Sequence, residues 1–156
     1  MKPRTAPSEK GQSLVEMALT ATLILFLMLA TIDFGYAFLY WITIRDAAQE
    51  GAMYGSLHPR ASIDGSACET ALRLRVTSAA TSAVINTSNL VPAQIVTTAS
   101  FGLTPGNPIT VAVTHNYKIL TPLVQNFIGD ADGFITISAR VTNTILQNTT
   151  PDPICP

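Results

Sequence analysis

Between Glu16 and Asp33 the chain carries 16 consecutive uncharged residues, MALTATLILFLMLATI. A helix rising about 1.5 Å per residue takes such a run through roughly 24 Å. Adding Leu14, Val15 and Phe34 to Ala37 brings it to the ~30 Å of a bilayer's hydrocarbon core. Phe34, Tyr36, Phe38, Tyr40 and Trp41 follow, 5 of the chain's 11 aromatic residues within eight positions, as in an aromatic belt at a membrane–water interface. The run is therefore expected to be a single transmembrane helix. Lys2, Arg4 and Lys10 precede it against Glu9, whereas Arg45, Asp46 and Glu50 beyond it sum to a negative charge. Positive charge stays on the cytoplasmic side, so the N-terminus is expected inside and everything after the helix outside. A cleaved signal peptide would need a shorter apolar core and a small-x-small site just after it. Here the apolar run continues through Phe38 to Ile44 with Tyr36 and Tyr40 in the way, which favours a retained anchor.

The helix is expected to run well past the membrane. No proline lies between Pro7 and Pro59, and Gly11, Gly35, Gly51 and Gly55 are isolated. A helix from about Ser13 to Ser56 would be roughly 65 Å long. Ala47, Gly51 and Gly55 recur every fourth residue, with Ala48 and Ala52 alongside. Such a small-residue stripe admits close approach of another backbone. It can serve a neighbouring stem or the chain's own domain.

Only 12% of the residues are charged, against about 25% in an average soluble protein. The deficit is concentrated in the helix. From Arg45 onward there are 6 basic and 7 acidic residues, without the positive field a nucleic-acid surface requires. No nucleic-acid partner is expected.

The junction Gly11-Gln12-Ser13-Leu14-Val15-Glu16 admits two readings. Ser13-x-x-Glu16 fits a capping box at a helix start. The junction also resembles the signal of type IV prepilins, in which a membrane aspartyl peptidase cuts after the glycine and the fifth mature residue is glutamate. Cleavage after Gly11 would make Gln12 the new N-terminus, where phenylalanine or methionine is usual. Its ammonium could pair with Glu16 of a neighbouring subunit, offsetting the cost of a charge at a membrane edge.

Beyond the junction, Asp33-Phe34-Gly35-x-Ala37-Phe38 and then Ala47-Ala48-Gln49-Glu50-Gly51-Ala52-x-Tyr54 extend the pattern. Residues 11 to 55 as a whole resemble the TadE-like family of the tight-adherence (Tad) pilus and secretion systems, with Gln49 where arginine is commoner. The resemblance implies a minor pilin or pseudopilin at the cytoplasmic membrane, passing into an extracellular pilus on assembly. It implies as partners a prepilin peptidase, other pilins or pseudopilins, and the assembly machinery. An uncleaved bitopic scaffold or secretion accessory of the same family is the alternative.

The remaining chain alternates in the manner of strands. His58 to Gly65 reads as a loop, and Ser66 with Glu69 as a capping box opening a helix to about Ala83. Cys68, Leu72, Val76, Ala79, Ala80 and Ala83 share one face of that helix. Ile95, Thr97, Ala99 and Phe101 alternate weakly with polar neighbours. Pro105 to Pro108 is a turn, and Ile109, Val111, Val113, His115, Tyr117 and Ile119 line one face of a long strand. A helical turn from Pro122 to Ile128 and a loop from Gly129 to Gly133 precede a last strand, with Ile135, Ile137, Ala139, Val141 and Ile145 inward. One-sided alternation predicts an antiparallel sheet with a helix on its apolar face. The expected fold is α+β, with one amphipathic helix on three or four strands. The expected organisation is a basic leader (1–11), a transmembrane and stem helix (12–57), an extracytoplasmic domain (58–147) and an irregular tail (148–156).

No catalytic, cofactor or metal set is recognisable, and no small-molecule substrate is expected. His58, His115, Cys68 and Cys155 contain no pair at metal-ligand spacing. Asp130-x-Asp132-Gly133 begins like a calcium loop but lacks its closing glutamate. Asn86-Thr87-Ser88 and Asn148-Thr149-Thr150 are glycosylation sequons. Cys68 and Cys155 allow one bridge, permitted after export and contributing roughly 4 kcal/mol by loop entropy; the alternative is two thiols. A membrane-tethered enzyme or metal-binding domain is the remaining, disfavoured class.

Overall fold

The computed structural model describes residues 10–63, 65–81, 95–130 and 132–146. A helix α1 (Lys10–Leu57) is followed by a 3-10 turn (Pro59–Ser62), α2 (Ala67–Thr81), β1 (Ile95–Thr98), β2 (Pro108–Lys118), α3 (Pro122–Ile128) and β3 (Phe134–Thr144). The leader through Glu9, Ala83, both sequons, Cys155 and the tail lie outside the described residues.

At 48 residues, α1 is about 72 Å long. Its two halves have different surroundings. From Gly11 through Leu25 every side chain is exposed, and α1 is long and apolar enough to cross a membrane. Thr20, Thr22 and Thr31 donate their hydroxyls to the carbonyls of Glu16, Ala18 and Leu27 at 2.8 Å. The only polar side chains between Glu16 and Asp33 are thus satisfied within the helix, as a hydrocarbon medium demands. In the second half Ile44, Ala47, Ala48, Ala52 and Tyr54 are buried. Their spacing of three and four marks one face turned to a core.

That core is built by α2 and the sheet. The strand order is β1-β2-β3, antiparallel throughout, with Ile95 opposite Val113 and Val111 opposite Val141. Along β2 the residues from Ile109 to Tyr117 bury every second side chain, because one face meets helices and the other meets water. Cys68, Leu72, Val76 and Ala80 of α2 enter the same core. The fold is α+β, as the alternation implied.

The small-residue stripe of α1 lies where this packing is tightest. A Cβ on Gly51 would stand 2.6 Å from Val76 Cγ2 and 3.2 Å from Val111 Cγ1. One on Gly55 would stand 2.9 Å from Ile109 Cδ1 and 3.6 Å from Leu72 Cδ1. Ala47, one turn earlier, is fully buried in the same core. The stripe is covered by the chain's own α2 and β2.

Ser66 Oγ accepts the Glu69 N–H at 3.0 Å, while Glu69 reaches back to the Gly65 N–H at 2.6 Å. This is a capping box displaced by one residue on its return limb. Three expectations need correction. The loop after α1 contains the 3-10 turn, where Ser62 Oγ bonds the Pro59 carbonyl at 2.9 Å. β1 ends at Thr98, so Phe101 belongs to a turn and is 74% exposed; Asn107 Nδ2 holds that turn through the Phe101 carbonyl at 2.6 Å. Ser13 lies inside α1 instead of capping it, because the helix already includes Lys10.

The direction of β2 decides what meets the lower helix. Ile109 stands at Gly55 and Val111 at Gly51, whereas Tyr117 stands at Tyr40. β2 therefore runs back along α1 toward its N-terminal half. Eight residues of strand cover about 26 Å, and the fifteen helical residues from Tyr40 to Gly55 about 22 Å, so the two keep pace. The β2–α3 connection is delivered to Asp33. At the other end, the Leu146 N–H bonds the Ser56 carbonyl at 2.9 Å, fixing the exit of β3 to the end of α1.

Candidate functional site

Two places on α1 carry charge in apolar surroundings, and they differ in kind. Glu16 is at the open end. Its Oε1 accepts from Gln12 Nε2 at 3.1 Å, one turn earlier on an exposed surface. Gly11, Gln12 and Glu16 all lie within one continuous helix, with nothing within 4 Å of a Cβ placed on Gly11.

Asp33 is the reverse case, 4% exposed in mid-helix. A carboxylate in such a place is costly unless it is fully partnered. Oδ1 accepts the Leu120 N–H at 2.9 Å and Oδ2 the Thr121 N–H at 3.0 Å. The Tyr117 hydroxyl lies 3.5 Å from Oδ1. The two backbone donors are adjacent, so the carboxylate grips the connection from β2 to α3 as a two-pronged clamp.

Above the clamp an aromatic stack continues the grip. The Tyr40 ring stacks on His115 at 5.1 Å and 10°, and meets Tyr117 at 5.1 Å in a tilted arrangement. His115 is 2% exposed and sits in this stack on the apolar strand face. Burial, and then the neighbouring Asp33 carboxylate, push the Tyr117 hydroxyl up to about 12 from 10.0. Further along, Arg75 of α2 reaches Glu50 at 3.3 Å and lies over the Tyr54 ring at 4.9 Å. The domain is thus tied to α1 at Asp33, Tyr40, Glu50 and Tyr54.

Residues 11–53 match the family model described as TadE-like protein. The TadE-like segment lies wholly in α1, and the domain falls outside it. No curated protein and no solved structure matches the chain. The matched segment covers 43 of the chain's 156 residues, and the helix that contains it is long and apolar enough to cross a membrane. Asp33-Phe34-Gly35, the acidic–aromatic–glycine step of the TadE-like segment, is where the domain is clamped, and Glu50-Gly51 is where α2 meets α1.

The remaining chemistry is local. Asp130 Oδ1 accepts the N–H groups of Asp132 at 3.1 Å and Phe134 at 2.8 Å, making a side-chain-closed turn. Among the described residues no group of three or more His, Cys, Asp or Glu gathers as metal ligands would. Cys68 is 1% exposed within the core, and Cys155 lies outside the described residues. The structure thus leaves Gly11, Gln12 and Glu16 together at one end and places Ala47, Gly51 and Gly55 together in the packed half. The role of Asp33 as a clamp was not foreseen. A carboxylate inside an apolar helix is itself the signal that a partner must exist.

Proposed function

We propose that the chain is a minor pilin or pseudopilin, a structural subunit of a Tad-type pilus or secretion filament. In this reading residues 1–11 are a leader removed by a prepilin peptidase after Gly11. Residues 12–57 form the stem, with the N-terminus in the cytoplasm. Residues 58–147 form the domain displayed outside, and 148–156 a tail tied to it by a Cys68–Cys155 bridge. Glu16 selects and registers the stem among other pilins, by pairing with the N-terminal ammonium of a neighbour's Gln12.

The observation that carries this reading is the position of the family match, residues 11–53, which begins at Gly11, the glycine after which cleavage is proposed. It is supported by the division of α1. The lower half keeps its apolar surface exposed, open to lipid or to other stems, while the small-residue stripe is already used up by the chain's own domain. A second reading, the uncleaved bitopic scaffold, has one observation in its favour. The helix passes unbroken through Gly11, and Gln12 already bonds Glu16 within the same chain.

Intact mass and N-terminal sequencing of the protein from membranes of its native host separate the two. A form beginning at Gln12 is the expected result. Retention of residues 1–11 in the presence of an active prepilin peptidase would overturn the pilin reading in favour of the scaffold.

A further inference from the structure

The apolar half of α1 is not bare along its whole length. Tyr117, Ile119 and Val124 form a small core of their own, against which Phe26, Ala30 and Ala37 of α1 pack. Phe26 lies seven residues before Asp33, about 10 Å further along the helix. If Asp33 stands at the outer boundary of the bilayer, the β2–α3 connection begins at that boundary and α3 continues below it.

The sequence of this segment suits that position. From Ile119 to Gly129 there is no charged residue, although Lys118 precedes the run and Asp130 follows it. Gln125 Nε2 is satisfied by the Ile119 carbonyl at 2.5 Å, and the N–H groups of Leu120 and Thr121 by Asp33. Asn126 is the exposed polar side chain of the segment, beside large apolar ones: Leu120 is 62% exposed and Ile128 68%, with Phe34 of α1 at 74%. The Leu120 N–H is held by Asp33, the residue before Phe34, where α1 still exposes apolar side chains. Segments lying in a membrane interface bury their apolar side about 5–10 Å deep, which is the depth the packing on Phe26 and Ala30 imposes.

We propose that α3 and its flanks form a wedge seated in the outer leaflet, so that the domain rests in the bilayer as well as being tethered to it. The occupant of the Leu120–Ile128–Phe34 surface is lipid acyl chain. The inference rests on the reading that α1 spans a bilayer. Removing the subunit from the membrane then requires withdrawing two apolar elements, the stem and the wedge, held together by Asp33.

The test uses the full chain in phosphatidylcholine vesicles whose acyl chains carry bromine at shallow or deep positions. Trp41, the chain's single tryptophan, is replaced by Phe. A tryptophan is then introduced singly by Ile128→Trp, by Leu120→Trp, by Leu74→Trp on the exposed side of α2, or by Leu23→Trp in the span. The expected result is blue-shifted emission and strong quenching by shallow bromine for Ile128→Trp, with Leu74→Trp unquenched and Leu23→Trp quenched by deep bromine. Leu120→Trp reports the same surface independently and is expected to agree with Ile128→Trp. If both match Leu74→Trp while Leu23→Trp is quenched, the wedge is refuted and the span stands. If they escape bromine yet are shielded from aqueous iodide, a protein surface covers the patch and the proposal also fails. An unquenched Leu23→Trp would remove the span reading and the wedge with it.

Discussion

Asp33 and Thr121, 88 positions apart in sequence, are joined by a 3.0 Å hydrogen bond from the Thr121 N–H to Oδ2. With the Leu120 bond to Oδ1 it makes one carboxylate the joint between stem and domain. Asp33→Ala leaves two adjacent backbone donors without their acceptor. The expected cost is on the order of 3 kcal/mol, as for the loss of charge-assisted bonds to buried donors. Hydrogen exchange in detergent micelles checks it: the Leu120 and Thr121 amides should lose protection, while amides of β2 near Val111 keep theirs. Unchanged protection at both amides would refute the clamp.

The Gly51 approach makes a graded prediction. Gly51→Ala gains about 1 kcal/mol of helix propensity, but its methyl would stand 2.6 Å from Val76 Cγ2. Val is stiff at χ1, and overpacking of this kind costs about 1–3 kcal/mol, so a net loss of about 1 kcal/mol is expected. Gly55→Ala meets the mobile end of Ile109 and should be close to neutral. Thermal unfolding of both variants, and of Gly51→Ala combined with Val76→Ala, measures the difference. The second substitution should remove most of the Gly51→Ala penalty relative to Val76→Ala alone.

These two sites show how far a single sequence reaches. The alternation of β2 was readable because one face is buried along its whole length, so each inward residue repeats the same instruction. The helical stripe at Ala47, Gly51 and Gly55 was readable as an approach surface, but not its occupant, because small residues specify distance without specifying what comes near. β1 is shorter than its alternation implies for a related reason. Alternation at Ala99 and Phe101 persists past Thr98, and it is Asn107, six residues beyond Phe101, that turns the chain there. The clamp at Asp33 needed the path of β2, since its donors are backbone groups that leave no residue-type signature. The roles proposed for Glu16 and Gly11 rest on resemblance alone, because an exposed helix end has no packing that marks a use.

The raised Tyr117 hydroxyl gives a pH prediction. Its folded value of about 12 lies above 10.0, so the folded state holds the proton more tightly than the unfolded chain does. That contribution is fully present below about pH 10. It is lost as pH rises toward 12, where the unfolded state releases its proton first. Stability should therefore fall across this interval, and Tyr117→Phe should flatten the fall. Ultraviolet titration of tyrosinate in folded protein provides the direct check: a Tyr117 transition near 10 would contradict the assignment.

The proposed Cys68–Cys155 bridge predicts no reactive thiol in denatured, unreduced protein taken from the membrane fraction, and two after reduction. A bridge closing so long a loop contributes roughly 4 kcal/mol. Reduction should lower the unfolding temperature, and Cys155→Ser should lower it by a similar amount. Two thiols before reduction would rule the bridge out.

Glu16→Ala tests the function at its charged end. Removing a carboxylate from the edge of an apolar helix makes insertion no harder, and the basic residues before the helix, Lys2, Arg4 and Lys10, are untouched. The variant should therefore reach the membrane in normal amount. Its Gln12 neighbour would lose its bond partner on the same chain, a surface interaction worth only about 0.2–0.5 kcal/mol, so the fold should be unaffected. What should fall is incorporation into filaments, measured by the amount of the chain in sheared pili relative to membranes. Normal incorporation of Glu16→Ala would show that register is set elsewhere on the stem. Loss from both fractions would place the role of Glu16 in membrane retention instead of assembly.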